Sequence, residues 1–267
     1  MCVMNKTENV AGQYADDKNL SRRINLHAKH STNKQGLTPW LFEQYDFREG
    51  DRILEFGCGN AAQWEGRIEP LPTDATLVLT DFSAGMVDTV WKKHSRHGNV
   101  FALTADIQNP PFPDISFDVV IANYMLYHVP DLDKAFASVA RVLKPGGRFY
   151  AATNGNGGIH AYIHNALKHF DPATNAFAEN FSFSLQNGKA MLEKYFGGMK
   201  RIDYEDSLRV TDTEDLVGYI MSSISISAMS DVSERELFDY FERIRLRDGA
   251  ICIPKETGVF ICENPNH

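Results

Sequence analysis

The sequence predicts an α/β fold built on a doubly wound, mostly parallel sheet with helices on both faces. Two patterns support this prediction. Short apolar runs lack the polar–apolar alternation of a strand exposed on one face, and helical patterns separate most of these runs. With 267 residues, 43% of them hydrophobic, the chain is long and apolar enough to bury a sizeable core.

The central elements are predicted from these patterns and from turn and capping signals. Ser83 is expected to cap one helix, and Asn60 is a plausible cap for the helix after the first strand. The Lys-Pro-Gly-Gly segment 144–147 is expected to stop a helix and turn the chain. The predicted helices lie near 60–69, 84–94 and 131–143. The predicted strands cover 52–56, 76–80, 100–104, 117–122 and 148–153.

Two additions flank this core in a chain that we expect to form a single domain, 1–267. Residues 1–46 precede the first strand and are expected to form a helical lid, and residues 47–154 form the ligand-binding core. A helical insert after the fifth strand, 155–247, carries aromatic residues, a helical region over 159–196 and a core strand near 199–210. Further helices are expected at 212–223 and 233–248. Terminal strands within 248–267 are expected as a hairpin-like pair, 250–253 and 258–262, with a late strand able to run antiparallel.

Composition narrows the functional classes. The net charge of −8 argues against a general nucleic-acid binder, which usually presents a basic face. The four cysteines are too few and too scattered for a disulfide scaffold. The N-terminal residues lack the apolar core of a secretory signal, and no stretch approaches the roughly 20 apolar residues of a membrane span. These observations predict a cytoplasmic protein without a membrane span.

A glycine turn after the first predicted strand is the main candidate for ligand binding. In the segment RILEFGCGNAAQW, Gly57 and Gly59 allow a sharp turn and a close approach of the backbone to a ligand. Glu55 places an acid inside an apolar strand, where it needs a partner such as a ligand cation or hydroxyl. Alone, the turn is equally compatible with a simple strand-to-helix connection. It lacks the lysine of a phosphate-binding loop, which disfavours phosphates.

Polar side chains follow several predicted strands at the point where each strand ends. Ligands of open parallel sheets bind outside the carboxyl ends of the strands, so these side chains are expected to share one site. Asp81 could accept hydrogen bonds from both ribose hydroxyls, and Asp106 could accept a hydrogen bond from the exocyclic amine of adenine. Phe82 and Ile107 could enclose the ring. Asn123, Tyr124 and Asn154 end the next strands. The chemistry suits an adenine nucleoside without phosphates.

Four segments in order complete the interpretation: EFGCGNA, LVLTDFS, ADIQNPPFPDISFDVVIANYMLYHVPD and RVLKPGGRFY. They resemble the successive motifs of class I S-adenosylmethionine-dependent methyltransferases, which have a Rossmann-like fold. The similarity is greatest to the small-molecule branch that includes the ubiquinone and menaquinone biosynthesis methyltransferases. It covers about residues 46–153. Ala61 stands where many members carry a third glycine.

The resemblance implies a role for each matching residue toward S-adenosyl-L-methionine, which becomes S-adenosyl-L-homocysteine on transfer. Asp81 would hold the ribose, Phe82 and Met86 would flank the adenine, and Asp106 and Ile107 would meet its amine and face. The methionine portion would lie along Glu55, Gly57, Gly59, Asn123 and Tyr124. Because N-terminal helices often close over the cofactor in this family, Tyr14, Arg23 and His30 are further candidates.

The catalytic candidates are His128 and Tyr14, and no metal is expected. His128 could act as a general base, or it could be a structural residue that starts the next helix. The pairs His27/His30 and His160/His164 have metal-like spacing but no evident third ligand. We predict a small-molecule acceptor and a monomer or homodimer. Three alternatives stay open: a non-catalytic cofactor binder, a methyltransferase acting on a macromolecule, and an NAD dehydrogenase.

Overall fold

The computed structural model describes residues 25–178, 180–223, 226 and 232–266. These residues divide into two compact units. The sheet unit comprises Leu37–Asn154, Ser182–Asp203 and the residues from Thr257 onward. The insert unit comprises the described residues up to Gly36 together with Gly155–Phe181 and Tyr204–Glu256. The prediction that the chain forms one domain with an N-terminal lid stays a prediction.

The sheet unit is built on a seven-stranded sheet with the order β3-β2-β1-β4-β5-β9-β6 in the described residues. Strands β1 to β5 pair parallel with one another, whereas β9 runs antiparallel between β5 and β6. The predicted doubly wound, mostly parallel sheet with a late antiparallel strand is therefore confirmed. The strands are β1 (Arg52–Phe56), β2 (Thr76–Asp81), β3 (Val100–Thr104), β4 (Phe117–Asn123), β5 (Leu143–Asn154), β6 (Phe196–Asp203) and β9 (Thr257–Pro265).

Two helices of the sheet unit begin at side-chain caps, of which Ser83 is the predicted one. The Ser83 hydroxyl accepts a hydrogen bond from the Met86 N–H, and the Asp131 carboxylate accepts one from the Lys134 N–H. One face of the helix that follows Asp131 is buried in the main core of this unit through Phe136 and Val139. The helices are α1 (Leu37–Gln44), α2 (Ala84–His94), α3 (Leu132–Val142) and the short α5 (Gly188–Leu192).

The insert unit has its own small sheet and its own core. Residues 25–30 are helical, and three helices follow: α4 (Ile159–Leu167), α6 (Thr213–Met221) and α7 (Glu234–Asp248). Strands β7 (Ser207–Val210) and β8 (Ile251–Pro254) pair antiparallel. The core includes Leu26, Leu208, Leu237 and Phe241, all fully buried. A capping box at Ser233 and Glu236 begins α7, as the predicted start at 233 required.

The predicted helix over 60–69 is wrong. Only a 3₁₀ turn, Ala62–Trp64, forms there. It starts after Ala61 at φ 55° and ends before Gly66 at φ 68°, and both angles are left-handed and incompatible with a continuing α-helix. Asn60 therefore caps no α-helix. Its side-chain oxygen accepts a hydrogen bond from the Ala62 N–H in a local turn.

Three further predictions are corrected by long-range pairing. The terminal strands form no hairpin, because β8 pairs with β7 while β9 pairs with β5 and β6. Strand forms over most of the predicted stretches 199–204 and 207–210, but only β6, which ends at Asp203, belongs to the core sheet, since β7 belongs to the insert unit. The helix before segment 144–147 ends at Val142, as predicted, but the segment lies within β5 as an irregularity, where the register against β4 shifts and Gly146 has φ 77°.

The region 159–196 is less helical than predicted. Helices cover Ile159–Leu167 and Gly188–Leu192, with turns between them in the described residues. Phe177 in one of these turns has φ 57°, a left-handed angle that interrupts any helix. Among the described residues, no helix is long and apolar enough to cross a membrane.

Candidate cofactor site

The carboxyl ends of β1, β2 and β4 lie side by side along one edge of the sheet. Phe56 pairs with Thr80 on β2 and with Ala122 on β4. Asp81 and Asn123 are therefore the last residues of strands on either side of the glycine turn. The structure brings together the polar strand ends that the sequence singled out, at the edge where open parallel sheets bind ligands.

The two glycines of the turn meet different surroundings. Gly57 has φ 66°, and a Cβ atom there would lie 2.8 Å from the Met125 side chain. Gly59 has φ 57°, but a Cβ atom there would meet no atom of the described residues within 4 Å. Packing and backbone angle both require glycine at 57. At 59 the backbone borders open space, as a ligand-facing turn would.

Asp81 is fixed by backbone N–H groups. One carboxylate oxygen accepts a hydrogen bond from the Gly59 N–H at 2.9 Å, and the other accepts from the Ser83 N–H at 2.8 Å. Each oxygen retains capacity for a second donor. Phe82, directly after it, exposes 64% of its surface, and Met86 in the first turn of α2 is half-buried. The Asp81 carboxylate is thus a rigid hydrogen-bond acceptor beside the exposed ring of Phe82.

The end of β3 presents a second acid. The Asp106 carboxylate accepts hydrogen bonds from the Gln108 N–H at 2.9 Å and from the Gln108 side-chain amide at 3.1 Å. Ile107 is buried in the core of the sheet unit, unlike the exposed Phe82. Asp106 is half-buried, so it remains accessible to a further donor.

The hydrogen-bond partners of Glu55 are protein side chains rather than a ligand cation. The Trp64 indole N–H donates to one carboxylate oxygen at 2.5 Å, and the Gln63 side-chain amide donates to the other. Burial raises the pKa of Glu55 to about 7, although these hydrogen bonds favour the ionised form. Sequence reasoning missed Gln63 and Trp64, because the predicted helix would not have folded them back onto β1.

Asn123, at the end of β4, has one unsatisfied atom. Its amide nitrogen donates to the Tyr45 hydroxyl at 2.8 Å and to the Gln63 side-chain oxygen at 3.3 Å. The residue is only 8% exposed, and its side-chain oxygen has no hydrogen-bond partner among the described residues. Buried carbonyl oxygens are normally paired, so this atom indicates a ligand with an N–H or O–H donor.

Tyr124 and His128 follow β4 in different ways. The backbone of Tyr124 is left-handed at φ 54°, and its hydroxyl lies 2.7 Å from that of Thr257 on β9. His128 lies in a 3₁₀ turn, Leu126–His128, where its ring packs against Tyr127 at 4.6 Å. The next helix starts after Asp131, so His128 does not begin it. The alternative prediction, in which His128 is a structural residue that starts the next helix, is therefore wrong about the start of the helix.

The remaining histidine candidates belong to the insert unit. The His30 ring lies 2.9 Å from Asp215, and that of His27 packs against Tyr219. His160 and His164 contact the Tyr219 hydroxyl and the Ala176 carbonyl. Within the described ranges, no group of three or more His, Cys, Asp or Glu side chains is arranged to hold a metal ion. Tyr14 and Arg23 lie outside the described residues.

Known proteins match the central part of the chain. Residues 54–151 match the family described as a methyltransferase domain. Demethylmenaquinone methyltransferase of Corynebacterium efficiens is 34% identical over 110 residues, which cover 41% of this chain and 44% of that protein. Aklanonic acid methyltransferase of a Streptomyces species is 32% identical over 101 residues, covering 37% and 46%. The chain spans less than half the length of these curated relatives.

Solved structures share the fold at low identity. A phosphoethanolamine N-methyltransferase of Haemonchus contortus, in complex with S-adenosylhomocysteine, gives a TM-score of 0.60 at 16% identity and covers 100% of this chain and 61% of that one. The YcgJ protein of Bacillus subtilis gives 0.56 at 18% identity, covering 86% and 98%. The [4+2]-cyclase SpnF gives 0.54 at 15% identity, covering 86% and 81%. These likenesses show the fold alone.

Residues 54–151 are therefore similar to a methyltransferase domain, and they belong to a sheet of Rossmann-like topology. Over these residues the resemblance of the four motifs to S-adenosylmethionine-dependent methyltransferases is confirmed. The strand ends fit that cofactor. Asp81 and Asp106 supply carboxylate acceptors at the strand ends, and the buried oxygen of Asn123 has no donor among the described residues.

Proposed function

We propose that this chain transfers a methyl group from S-adenosylmethionine to a small-molecule acceptor by in-line displacement. The observation that carries the proposal is the Asp81 carboxylate, anchored by the Gly59 and Ser83 N–H groups beside the open space at Gly59. When bound, the cofactor supplies an electrophilic methyl group on a sulfonium, and S-adenosylhomocysteine is the product.

In this proposal the strand ends divide the cofactor between them. Asp81 accepts hydrogen bonds from the ribose hydroxyls, and Asp106 accepts one from the adenine amine, because each carboxylate keeps free acceptor capacity. Phe82, Met86 and Ile107 border the adenine. The glycine turn, Asn123 and Tyr124 border the methionine portion, with Glu55 behind them holding Gln63 and Trp64 in place.

The protein's own tasks are then alignment, exclusion of water and removal of a proton from the acceptor where one must leave. We propose His128 for the proton transfer, since its turn directly follows the β4 strand end that carries Asn123. Tyr14, which lies outside the described residues, and the N-terminal lid of residues 1–46 keep their proposed roles. The insert unit is the proposed source of acceptor recognition.

A small-molecule acceptor is supported by the net charge of −8 and by relatives named for a quinone precursor and for aklanonic acid. The proposal includes a cytoplasmic enzyme acting as a monomer or homodimer without nucleic acid. The free cysteines among the described residues, buried Cys58 and Cys262 and exposed Cys252, suit a reducing compartment. Formation of S-adenosylhomocysteine across a panel of small metabolites tests the reaction. Failure with every acceptor but tight cofactor binding would favour the non-catalytic alternative.

The glycine turn offers a matched test of where the cofactor lies. Gly59→Ala and Gly66→Ala place the same methyl group at similar left-handed angles, φ 57° and φ 68°, and both methyls enter space free of described atoms. The free energy of unfolding should fall by a similar amount in both variants, about 1 kcal/mol. Only Gly59→Ala should weaken S-adenosylmethionine binding, by about tenfold or more, because its methyl group occupies cofactor space.

Isothermal titration calorimetry and thermal melts measure both effects. Equal affinities of the two alanine variants, each folded, would contradict the placement of the cofactor against Gly59. A loss of affinity in both would show that strain alone weakens binding.

A further inference from the structure

We infer that Tyr45 and Gln63 are positioning residues that orient the Asn123 side chain toward the α-ammonium group of the bound cofactor. The inference rests on the proposed function and assigns roles to two residues that the motifs do not include. It makes the contact at the end of β4 selective for ligands that carry an amino-acid end.

The orientation of Asn123 follows from what surrounds its amide nitrogen. A side-chain amide has a donor side and an acceptor side. The nitrogen faces the Tyr45 hydroxyl at 2.8 Å and the Gln63 oxygen at 3.3 Å, and a hydrogen bond from Asn123 also favours the ionised form of Glu55. A flipped amide would turn its oxygen toward the Gln63 oxygen and the Glu55 carboxylate. The acceptor side is thereby directed away from these groups.

That acceptor side needs a donor. The Asn123 oxygen is buried and has no hydrogen-bond partner in the described part of the chain. An unpaired buried carbonyl costs about 1–3 kcal/mol, which a ligand donor recovers. An ammonium group is the strongest donor available, because its hydrogen bonds are charge-assisted. Among the parts of the cofactor, the methionine α-ammonium is the group with this chemistry.

Tyr45 is held firmly enough to act as a fixed reference. The centre of its ring lies 5.2 Å from that of Phe42, 5.2 Å from that of Phe47 and 5.0 Å from that of Tyr150. The residue is buried. Burial raises the pKa of its hydroxyl well above the ordinary value, so the group stays a neutral phenol. Removing the hydroxyl leaves the ring packing intact but frees the Asn123 amide to rotate.

The test compares two ligands and two matched variants by calorimetry. S-adenosylhomocysteine carries the α-ammonium group, and its deaminated analogue keeps the adenosine, thioether and carboxylate. Tyr45→Phe should bind S-adenosylhomocysteine about tenfold more weakly, while its affinity for the analogue changes less than about twofold. Tyr150→Phe is the control, since its buried hydroxyl accepts a hydrogen bond from the Asp46 N–H and its ring lies in the same aromatic cluster. It should change neither affinity.

The outcomes separate the possible failures. If wild type binds neither ligand, the proposed function is wrong. If wild type binds S-adenosylhomocysteine but Tyr45→Phe loses both ligands equally, or neither, the positioning role is overturned. Circular dichroism checks folding, and Gln63→Met, of similar volume without hydrogen-bonding groups, serves as a second variant. It should show the same selective loss, and its absence would likewise overturn the inference.

Discussion

Replacing Asp81 with alanine is expected to weaken S-adenosylmethionine binding by about ten- to a hundredfold, or about 1–3 kcal/mol. The carboxylate holds the Gly59 and Ser83 N–H groups and, in the proposed complex, the ribose hydroxyls. Alanine removes every acceptor at once. Calorimetric titration of the purified variant with the cofactor measures the loss.

Two companion variants sharpen this result. Asp88→Ala removes an exposed carboxylate from α2 and should leave the affinity unchanged. Asp81→Asn keeps one oxygen acceptor, so its loss should be smaller than that of alanine. Wild-type affinity in a folded Asp81→Ala protein would remove the ribose contact from the proposal.

Wild type is expected to lose stability as the pH rises to neutral and basic values, because the buried Glu55 carboxyl then ionises. Replacing Glu55 with glutamine should abolish this loss. The pKa of this carboxyl rises from 4.5 to about 7 on folding. Between those values the folded state holds a proton that the unfolded state has released. The stability linked to Glu55 is therefore present below pH 4.5 and is lost as pH rises through about 7. At 1.36 kcal/mol per pKa unit, the loss is about 3 kcal/mol.

Urea denaturation at about pH 5 and about pH 8 isolates this effect, because glutamine does not titrate. The free energy of unfolding of Glu55→Gln minus that of wild type should be larger at the higher pH by about 2 kcal/mol, meaning that the variant is relatively more stable there. Glu49→Gln, at an exposed site, should show the same difference from wild type at both values. A pH-independent difference for Glu55→Gln would show that the buried carboxyl does not titrate in this range.

Local patterns were sufficient to predict much of the sheet unit. The bounds predicted for β1 and β3 are those observed, and Ser83 caps α2 as expected. Each of these features depends on residues within a few positions of one another. Apolar runs and capping side chains act over that range, so a single sequence is enough to locate them.

The features that sequence reasoning missed depend on partners distant in the chain. Nothing near Gly258 shows that β9 pairs with β5 and β6 rather than with β8. The contact of Tyr45 with Asn123 joins residues 78 positions apart. The fold of Trp64 back onto Glu55 depends on the left-handed angle at Ala61, which a non-glycine residue rarely adopts.

The position of β9 between β5 and the edge strand β6 has a consequence for synthesis on the ribosome. Strand β6 joins the sheet only through β9, and the whole stretch Tyr204–Glu256 is translated between them. Until Thr257–Pro265 emerges, β5 has an open edge and β6 has no neighbour in its sheet. Such an edge can pair with other chains. Nascent chains stalled before Thr257 should therefore bind chaperones and aggregate, whereas stalling after Pro265 has cleared the exit tunnel should relieve both.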